Sequence, residues 1–487
     1  MTANLKALVV VLALALAVFA LARPVCLRMM PAEDFSRRRN AWLVLTVVAF
    51  VSPSFWLFVL AAAIVYSWSG SRDANPLGFY LLLLHVIPPA GLEIPNIGSI
   101  RVFEFTNYRL LSLVLLAPLA WKIRNAAGDE HRKFNWIDFF VLAFAVMQLT
   151  RYMPYESLTN TARRALRTPA AIVDVMASFW LACALFAPIA VFEAVRTWPL
   201  YGGVGDLWGI VDSAYVFRGS SLRGLAASGH PLALGYMMSM AFGFWLYLRK
   251  QSSSRTVRFA GAALMWLGLL AAYSRAPWIV AVFVLFAYLF LQPRGSTKLM
   301  KALLISGVLA GLVLASPMGD KVIDNLPFIG TVNLNTVVYR QRLADLSWKL
   351  VEQNPWLGDP FVMGKMEEMR QGEGIIDLVN VYAMMALFYG LIGLSLFAGI
   401  FVTAAWNYFS TLRKATLQDP EFSLLGACLL ACLLGTLVMQ ATGSFATSLA
   451  LLSWILAALG TAYASIGRAT EQQSATSGRS APLAYRA

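Results

Sequence analysis

The sequence predicts an all-α, polytopic integral membrane protein with about 12 transmembrane helices and one large external loop between late helices. Three observations predict it. The 487 residues are 59% apolar and only 13% charged, a balance too greasy for a soluble multidomain chain and too long for a simple anchor. Apolar runs suited to a hydrocarbon core of about 30 Å recur, among them Leu5 to Ala22, Phe259 to Tyr273, Trp278 to Leu291 and Phe445 to Ile466. The Lys and Arg residues behind the net charge of +14 fall in short clusters between those runs. That is the pattern of cytoplasmic loops, so a lipid bilayer is the expected partner of the charge and nucleic acid is not.

At the N-terminus, Lys6, an apolar run and Ala20-Leu21-Ala22 have the shape of a signal peptide. Arg23, Arg28 and the run Arg37-Arg38-Arg39 follow directly. A basic flank resists export, which favours an uncleaved first helix whose C-terminal end is cytoplasmic. The apolar stretch 41 to 68 is broken at Ser52-Pro53-Ser54. Basic stretches at 122 to 133 and 151 to 167 are separated by one span, Trp136 to Tyr152, so the two cannot share the cytoplasmic face. Either 151 to 167 is external or the 41 to 68 stretch forms two half-helices, and the sidedness of residues 41 to 170 stays open.

The C-terminal half orients more simply. Basic connections at 249 to 258 (Arg249, Lys250, Arg255, Arg258), 292 to 301 (Arg294, Lys298, Lys301) and 408 to 420 (Arg413, Lys414) share the cytoplasmic face. The turn Ser274-Arg275-Ala276-Pro277 then faces outside, as do the segment before Pro231 and the stretch from Pro317 to Leu378. This divides the chain into N-terminal transmembrane helices (1 to 316), an external loop subdomain (317 to 378), C-terminal transmembrane helices (379 to 466) and a tail (467 to 487). The tail is rich in Ser, Thr, Ala and Gln and reads as disordered and cytoplasmic. In the external stretch six basic residues face nine carboxylates. There Leu343, Leu346, Trp348, Leu350 and Val351 predict an amphipathic helix at the membrane surface, stopped by Asn354-Pro355.

No phosphate-binding Gly-rich loop, HExxH or CxxC occurs. His85, His131 and His230 are too few for a His-built metal site, so neither metal nor cofactor is expected. Cys26, Cys183, Cys428 and Cys432 read as small core residues. What remains is a set of external polar residues. Arg218 and Arg223 lie before His230-Pro231, which opens a helix, and His230 reads either as its cap or as a site residue. Arg275 sits at headgroup level, and Tyr339, Arg340 and Arg342 lie on the external helix, where solvated or lipid-facing roles are the ordinary alternative. The derived topology places Arg223, His230, Arg275 and Arg340 on one face. Guanidiniums gathered beside a bilayer suit a diphosphate-linked lipid, because Arg pairs bidentately with phosphate oxygens.

Tyr339-Arg340, then Leu343, then Asn354-Pro355-Trp356-Leu357-Gly358 give an Arg, fourteen intervening residues and Pro-x-x-Gly. With Arg223-Gly224, His230-Pro231-Leu232-Ala233-Leu234-Gly235, Ser274-Arg275, Asn380-Val381-Tyr382 and Tyr389-Gly390-Leu391-Ile392-Gly393, the chain resembles the O-antigen ligase and O-antigen polymerase superfamily of bacterial envelope glycosyltransferases, across most of residues 100 to 410. The resemblance implies glycan transfer from an undecaprenyl-diphosphate carrier on the periplasmic face of the bacterial cytoplasmic membrane, without a metal. It assigns Arg340, Arg275, His230 and Asp377 to catalysis and Arg223, Arg342, Arg218, Asn380 and Tyr339 to substrate binding. Ligases of this kind carry a His eleven residues before the glycine matching Gly390, where this chain has Val379. That departure favours a polymerase of lipid-linked repeat units over a ligase, with a chain-length regulator as an expected partner. Asp377 is then either the substitute base or the N-cap of a helix beginning near Val379. A flippase of lipid-linked sugars is the third alternative, disfavoured because the long apolar runs carry few charges to line a path.

Overall fold

The computed structural model describes residues 3–93, 104–119, 122, 136, 139–140, 143, 165–209, 217–218, 221–252, 254–316, 334–370, 376–443 and 447–477. The Arg-rich segment 151 to 164 and most of the span 136 to 152 lie outside the described residues. The chain forms two compact units: residues 1–133, 157–274 and 454–487 make one, and residues 134–156 and 275–453 the other. Among the described residues seven helices are long and apolar enough to cross a membrane, and three shorter apolar helices accompany them. The protein is therefore helical and multi-pass, with fewer full-length spans described than the dozen expected from sequence.

The first unit is organised by one helix. Its elements are α1 (Ala3–Cys26), α2 (Ala32–Val51), α3 (Phe55–Gly70), α4 (Pro76–Leu83), α5 (Asn107–Leu111), α6 (Pro169–Arg196), α7 (Gly202–Trp208), α8 (Pro231–Leu248) and α9 (Arg255–Ala271). Two short antiparallel pairs join β1 (Gly91–Glu93) to β2 (Glu104–Thr106) and β3 (Phe217–Arg218) to β4 (Ser221–Leu222). Helix α6 starts where Thr168 accepts from Ala171 N and Pro169 occupies the first turn, and it ends at Thr197 with φ 52°. From Ile172 to Ala190 nearly every side chain is buried, the mark of a helix enclosed on all sides. Helices α1, α4, α8 and α9 pack around it, and Trp180 stacks on Trp245 with centroids 4.4 Å apart. The break at Ser52-Pro53-Ser54 is real: α2 stops at Val51, and Ser54 caps α3 by accepting from Leu57 N.

The basic flank after α1 needs correction. Arg37 pairs with Asp34 near the surface, but Arg38 is fully buried. Its guanidinium forks onto Asp73 (2.9 and 2.7 Å) and Asp174 and donates to Ser178 Oγ at 2.7 Å. A run of three arginines thus contains one buried ion-network hub. Arg28 Nη1 donates to Gln251 O at 2.7 Å, which ties the connection after α1 to the connection 249 to 258. Both had been placed on the cytoplasmic face by charge alone.

The second unit contains α10 (Arg275–Phe290), α11 (Gly295–Leu314), α12 (Leu334–Gln353), α13 (Val381–Gln418), α14 (Pro420–Thr442) and the first residues of α15 (Thr447–Ser477). α10 and α13 both pack on α14, and α12 packs on α13. Met300, Leu304, Ile305, Val308, Leu309 and Leu312 of α11 are all exposed, as fits a span whose neighbours are lipid. α12 is the helix expected before Asn354-Pro355. It buries Leu343, Leu350 and Val351 against the start of α13 while Trp348 faces outward.

Two further expectations change. The connection at 408 to 420 is helix up to Gln418, and only Asp419 interrupts the chain by capping α14. The tail expected to be disordered from residue 467 continues α15 to Ser477, because Ala, Glu and Gln sustain a helix as readily as they populate disordered tails.

Candidate functional site

In the first unit, the loop carrying Arg223 and His230 is organised by a carboxylate the sequence reading missed. Glu193, near the end of α6 and 1% exposed, accepts from Leu200 N (3.0 Å), Leu225 N (2.9 Å) and Ala226 N (2.7 Å). Gly224 fits this path because a Cβ there would stand 2.6 Å from Ala190 O, and its N–H donates to Ala271 O at 2.8 Å. Arg223 Nε donates to Ala272 O at 3.3 Å and Arg218 Nη1 to Tyr273 O at 3.1 Å. Both guanidiniums thus sit at the carbonyl end of α9, where the helix dipole favours cations. Burial, and then the positive charge of Arg218, lowers the Arg223 guanidinium to about 10, so an anion beside it would be stabilising.

His230 caps α8. Its Nδ1 accepts from Leu232 N at 3.1 Å, with Pro231 in the first helical position. An imidazole whose Nδ1 is an acceptor carries its proton on Nε2, so in this arrangement the His230 proton sits on Nε2.

In the second unit Arg275 opens α10. Arg340 lies on α12 beside a cavity of about 170 Å³ that Asn380 and Val379 also line. Tyr339 Oη donates to Asp377 O at 3.4 Å, so the neighbours of Arg340 and Asn380 are also joined. Arg342, two positions on, is exposed and does not line this cavity. The cap expected of Asp377 belongs to Asn380, whose Oδ1 accepts from Tyr382 N (2.9 Å) and Ala383 N (3.1 Å). The helix starts at Val381, two residues later than expected, so Asn380 occupies the cap position and the Asp377 carboxylate is left out of it.

The Pro-x-x-Gly turn has a structural explanation. α13 is interrupted at Gly390, with φ 64° and ψ −170°. In an unbroken helix Leu391 N and Ile392 N would bond to carbonyls four residues back. Here they donate instead to Pro355 O (2.7 Å) and Trp356 O (3.3 Å), while Leu387 O, released by the break, accepts from Asp359 N at 2.8 Å. Gly358, at φ 65°, completes the fit, because a Cβ on it would stand 2.5 Å from Gly390 N. The turn is thus inserted into the helix, each glycine making room for the backbone of the opposite segment.

Sequence reasoning also missed Ser347, which lines the cavity beside Arg340 and whose Oγ is buried with no partner among the described residues. Among the described residues no group of three or more His, Cys, Asp or Glu could hold a metal ion. No curated protein matches the chain. Residues 260–398, which contain Arg275, Tyr339, Arg340, Arg342, the inserted turn, Asp377 and Asn380, match the family model described as O-Antigen ligase, a match that supports an assignment to the O-antigen ligase and polymerase superfamily.

Proposed function

We propose that the protein is a glycosyltransferase that joins undecaprenyl-diphosphate-linked repeat units on the periplasmic face of the bacterial cytoplasmic membrane. The observation that carries this is the match across residues 260–398, the stretch that holds Arg275, Arg340 and Asp377. In the reaction the acceptor hydroxyl oxygen attacks the anomeric carbon. The bond from that carbon to the lipid diphosphate breaks, and its electron pair leaves on the phosphate oxygen.

Arg340 and Arg275 offset the charge that develops on the leaving group, the kind of stabilisation whose loss costs about 10² to 10³ in rate. Asp377 receives the hydroxyl proton, the general-base role a carboxylate can fill. The His230 Nδ1 is committed to Leu232 N, which argues against its serving as the base, and phosphate contact is proposed for Arg223 and Arg218 of the same loop. Exposed Trp348, Trp356 and Phe361 suit a loop resting in the headgroup region.

A second reading has its own support. The family description names ligases, which would move the glycan to a lipid or protein acceptor, whereas Val379 in place of the ligase-type His supports polymerisation. Purified protein given a lipid-linked repeat unit alone decides between them. A ladder of longer lipid-linked products supports the polymerase, and product only with an added acceptor supports the ligase. No product with any acceptor, together with movement of the lipid-linked sugar across vesicle bilayers, would point to a flippase instead.

A further inference from the structure

The cavity beside Arg340 has a chemistry more specific than phosphate binding. Its volume of about 170 Å³ is bounded by apolar side chains of Leu343, Leu378 and Val379, and its polar contributors are Arg340, Ser347, Asn380 and Thr442. A cavity of roughly 150 Å³ accepts one benzene-sized group. This one therefore has room for a sugar substituent and the ring edge that carries it, and is too small for a disaccharide.

Arg340, Ser347 and Asn380 share one property. Asn380 Oδ1 is committed to Tyr382 N and Ala383 N, which leaves its amide N–H groups to face a ligand. Arg340 can only donate. Ser347 Oγ is buried, with the residue 5% exposed, and has no partner among the described residues, so its proton is available to an incoming acceptor. Those three are thus donors framed by methyl-bearing walls, while the Thr442 hydroxyl donates into its own helix at Val438 O (3.3 Å). A sugar carrying only hydroxyls could accept from these donors but would bring no apolar group to the walls. A polyprenyl tail would satisfy the walls and leave Ser347 unmatched, and a bare phosphate would do the reverse.

We propose that this cavity is a subsite for the acetamido group of an N-acetylated sugar in the transferred glycan. The acetyl methyl packs on Leu378 and Val379, and its carbonyl oxygen accepts from Ser347 Oγ and the Asn380 amide. The ring stands toward Arg340. This rests on the reading of the chain as acting on a lipid-linked glycan, and it adds a preference for N-acetylated sugars.

Saturation-transfer NMR on the purified full-length protein, with methyl N-acetylglucosaminide and methyl glucoside as probes, tests the subsite without turnover. The acetyl methyl of the first probe is expected to receive the strongest transfer, with the second unable to displace it. Ser347→Ala should weaken binding about 2- to 10-fold, the range for one neutral hydrogen bond. Ala441→Leu, which fills the cavity from α14, should abolish it, and Ser347→Ala carries the test alone where that variant does not fold.

Equal displacement by the glucoside, no transfer from either probe, or undiminished binding in Ser347→Ala overturns the subsite. Chain extension of lipid-linked units without acetamido binding overturns the subsite and leaves the transferase standing. Acetamido binding without transfer to any acceptor does the opposite.

Discussion

Substituting Gly390 by Ala tests whether the Pro355 to Gly358 turn is held by the helix it interrupts. At φ 64° and ψ −170° the backbone lies in a region essentially reserved for glycine, where a Cβ costs on the order of 1 to 2 kcal/mol. That Cβ would also stand 2.3 Å from Trp356 C and O, which are backbone atoms fixed by hydrogen bonds on both sides. The turn must withdraw. Doing so gives up the bonds Asp359 N to Leu387 O, Leu391 N to Pro355 O and Ile392 N to Trp356 O, each contributing about 1 kcal/mol net. The combined loss is about 4 to 5 kcal/mol, a large share of a stability of about 5 to 15 kcal/mol. Thermal unfolding of the full chain in detergent measures it, and limited proteolysis at 355 to 359 reports the turn. Gly358→Ala should match it, and the double variant should be little worse than either, since the turn can leave only once. Gly364→Ala, where a Cβ meets nothing, is the silent control. A Gly390→Ala protein that melts like wild type with a protected turn would falsify the account.

Arg340→Ala and Arg340→Lys should both lose about 10² to 10³ in glycan transfer at normal protein levels, and full activity in the lysine variant would show that a bidentate fork is not what the residue supplies. Asp377→Asn should lower turnover by about 10² to 10⁴ without unfolding the chain; unchanged turnover removes Asp377 as the base. Glu193→Gln turns one acceptor into a donor facing a backbone N–H, so it should cost about 1 to 3 kcal/mol and speed hydrogen exchange at Leu225 and Ala226, whereas unaltered exchange there would mean the loop is held by something else. Arg38→Met strands Asp73 and Asp174 in the interior and should cost about 3 to 5 kcal/mol in thermal unfolding; a melting temperature at the wild-type value would show that the network is not needed for stability.

Much of the helical plan was legible because its causes are local. Ser54, His230-Pro231 and Asn354-Pro355 act on their own neighbours, and the helix boundaries follow them. What failed to show was set by residues far along the chain. Nothing near Arg38 distinguishes it from Arg37 and Arg39, because its partners lie 35 and 136 residues away. Asp377 and Asn380 are both competent caps, and the choice depends on where the backbone turns helical, which no composition states. Gly358 and Gly390 were recognisable as motif positions, but that each makes space for the opposite segment appears only when the two segments meet. Glu193 did leave a trace in the sequence: an acid near the end of an apolar helix is costly in a membrane and needs partners.

The two ends of α6 are each fastened by a buried carboxylate. Asp174 near its start meets Arg38 from α2, and Glu193 near its finish gathers the backbone of the Arg223 loop. The helix was made to be completed by segments synthesised before and after it. A version of this protein shortened to begin at Pro169, attractive because the family match starts only at residue 260, would carry Asp174 and Ser178 in an apolar interior without the guanidinium that answers them. The first seventy residues, which hold none of the proposed reacting groups, are therefore a requirement for expressing the rest.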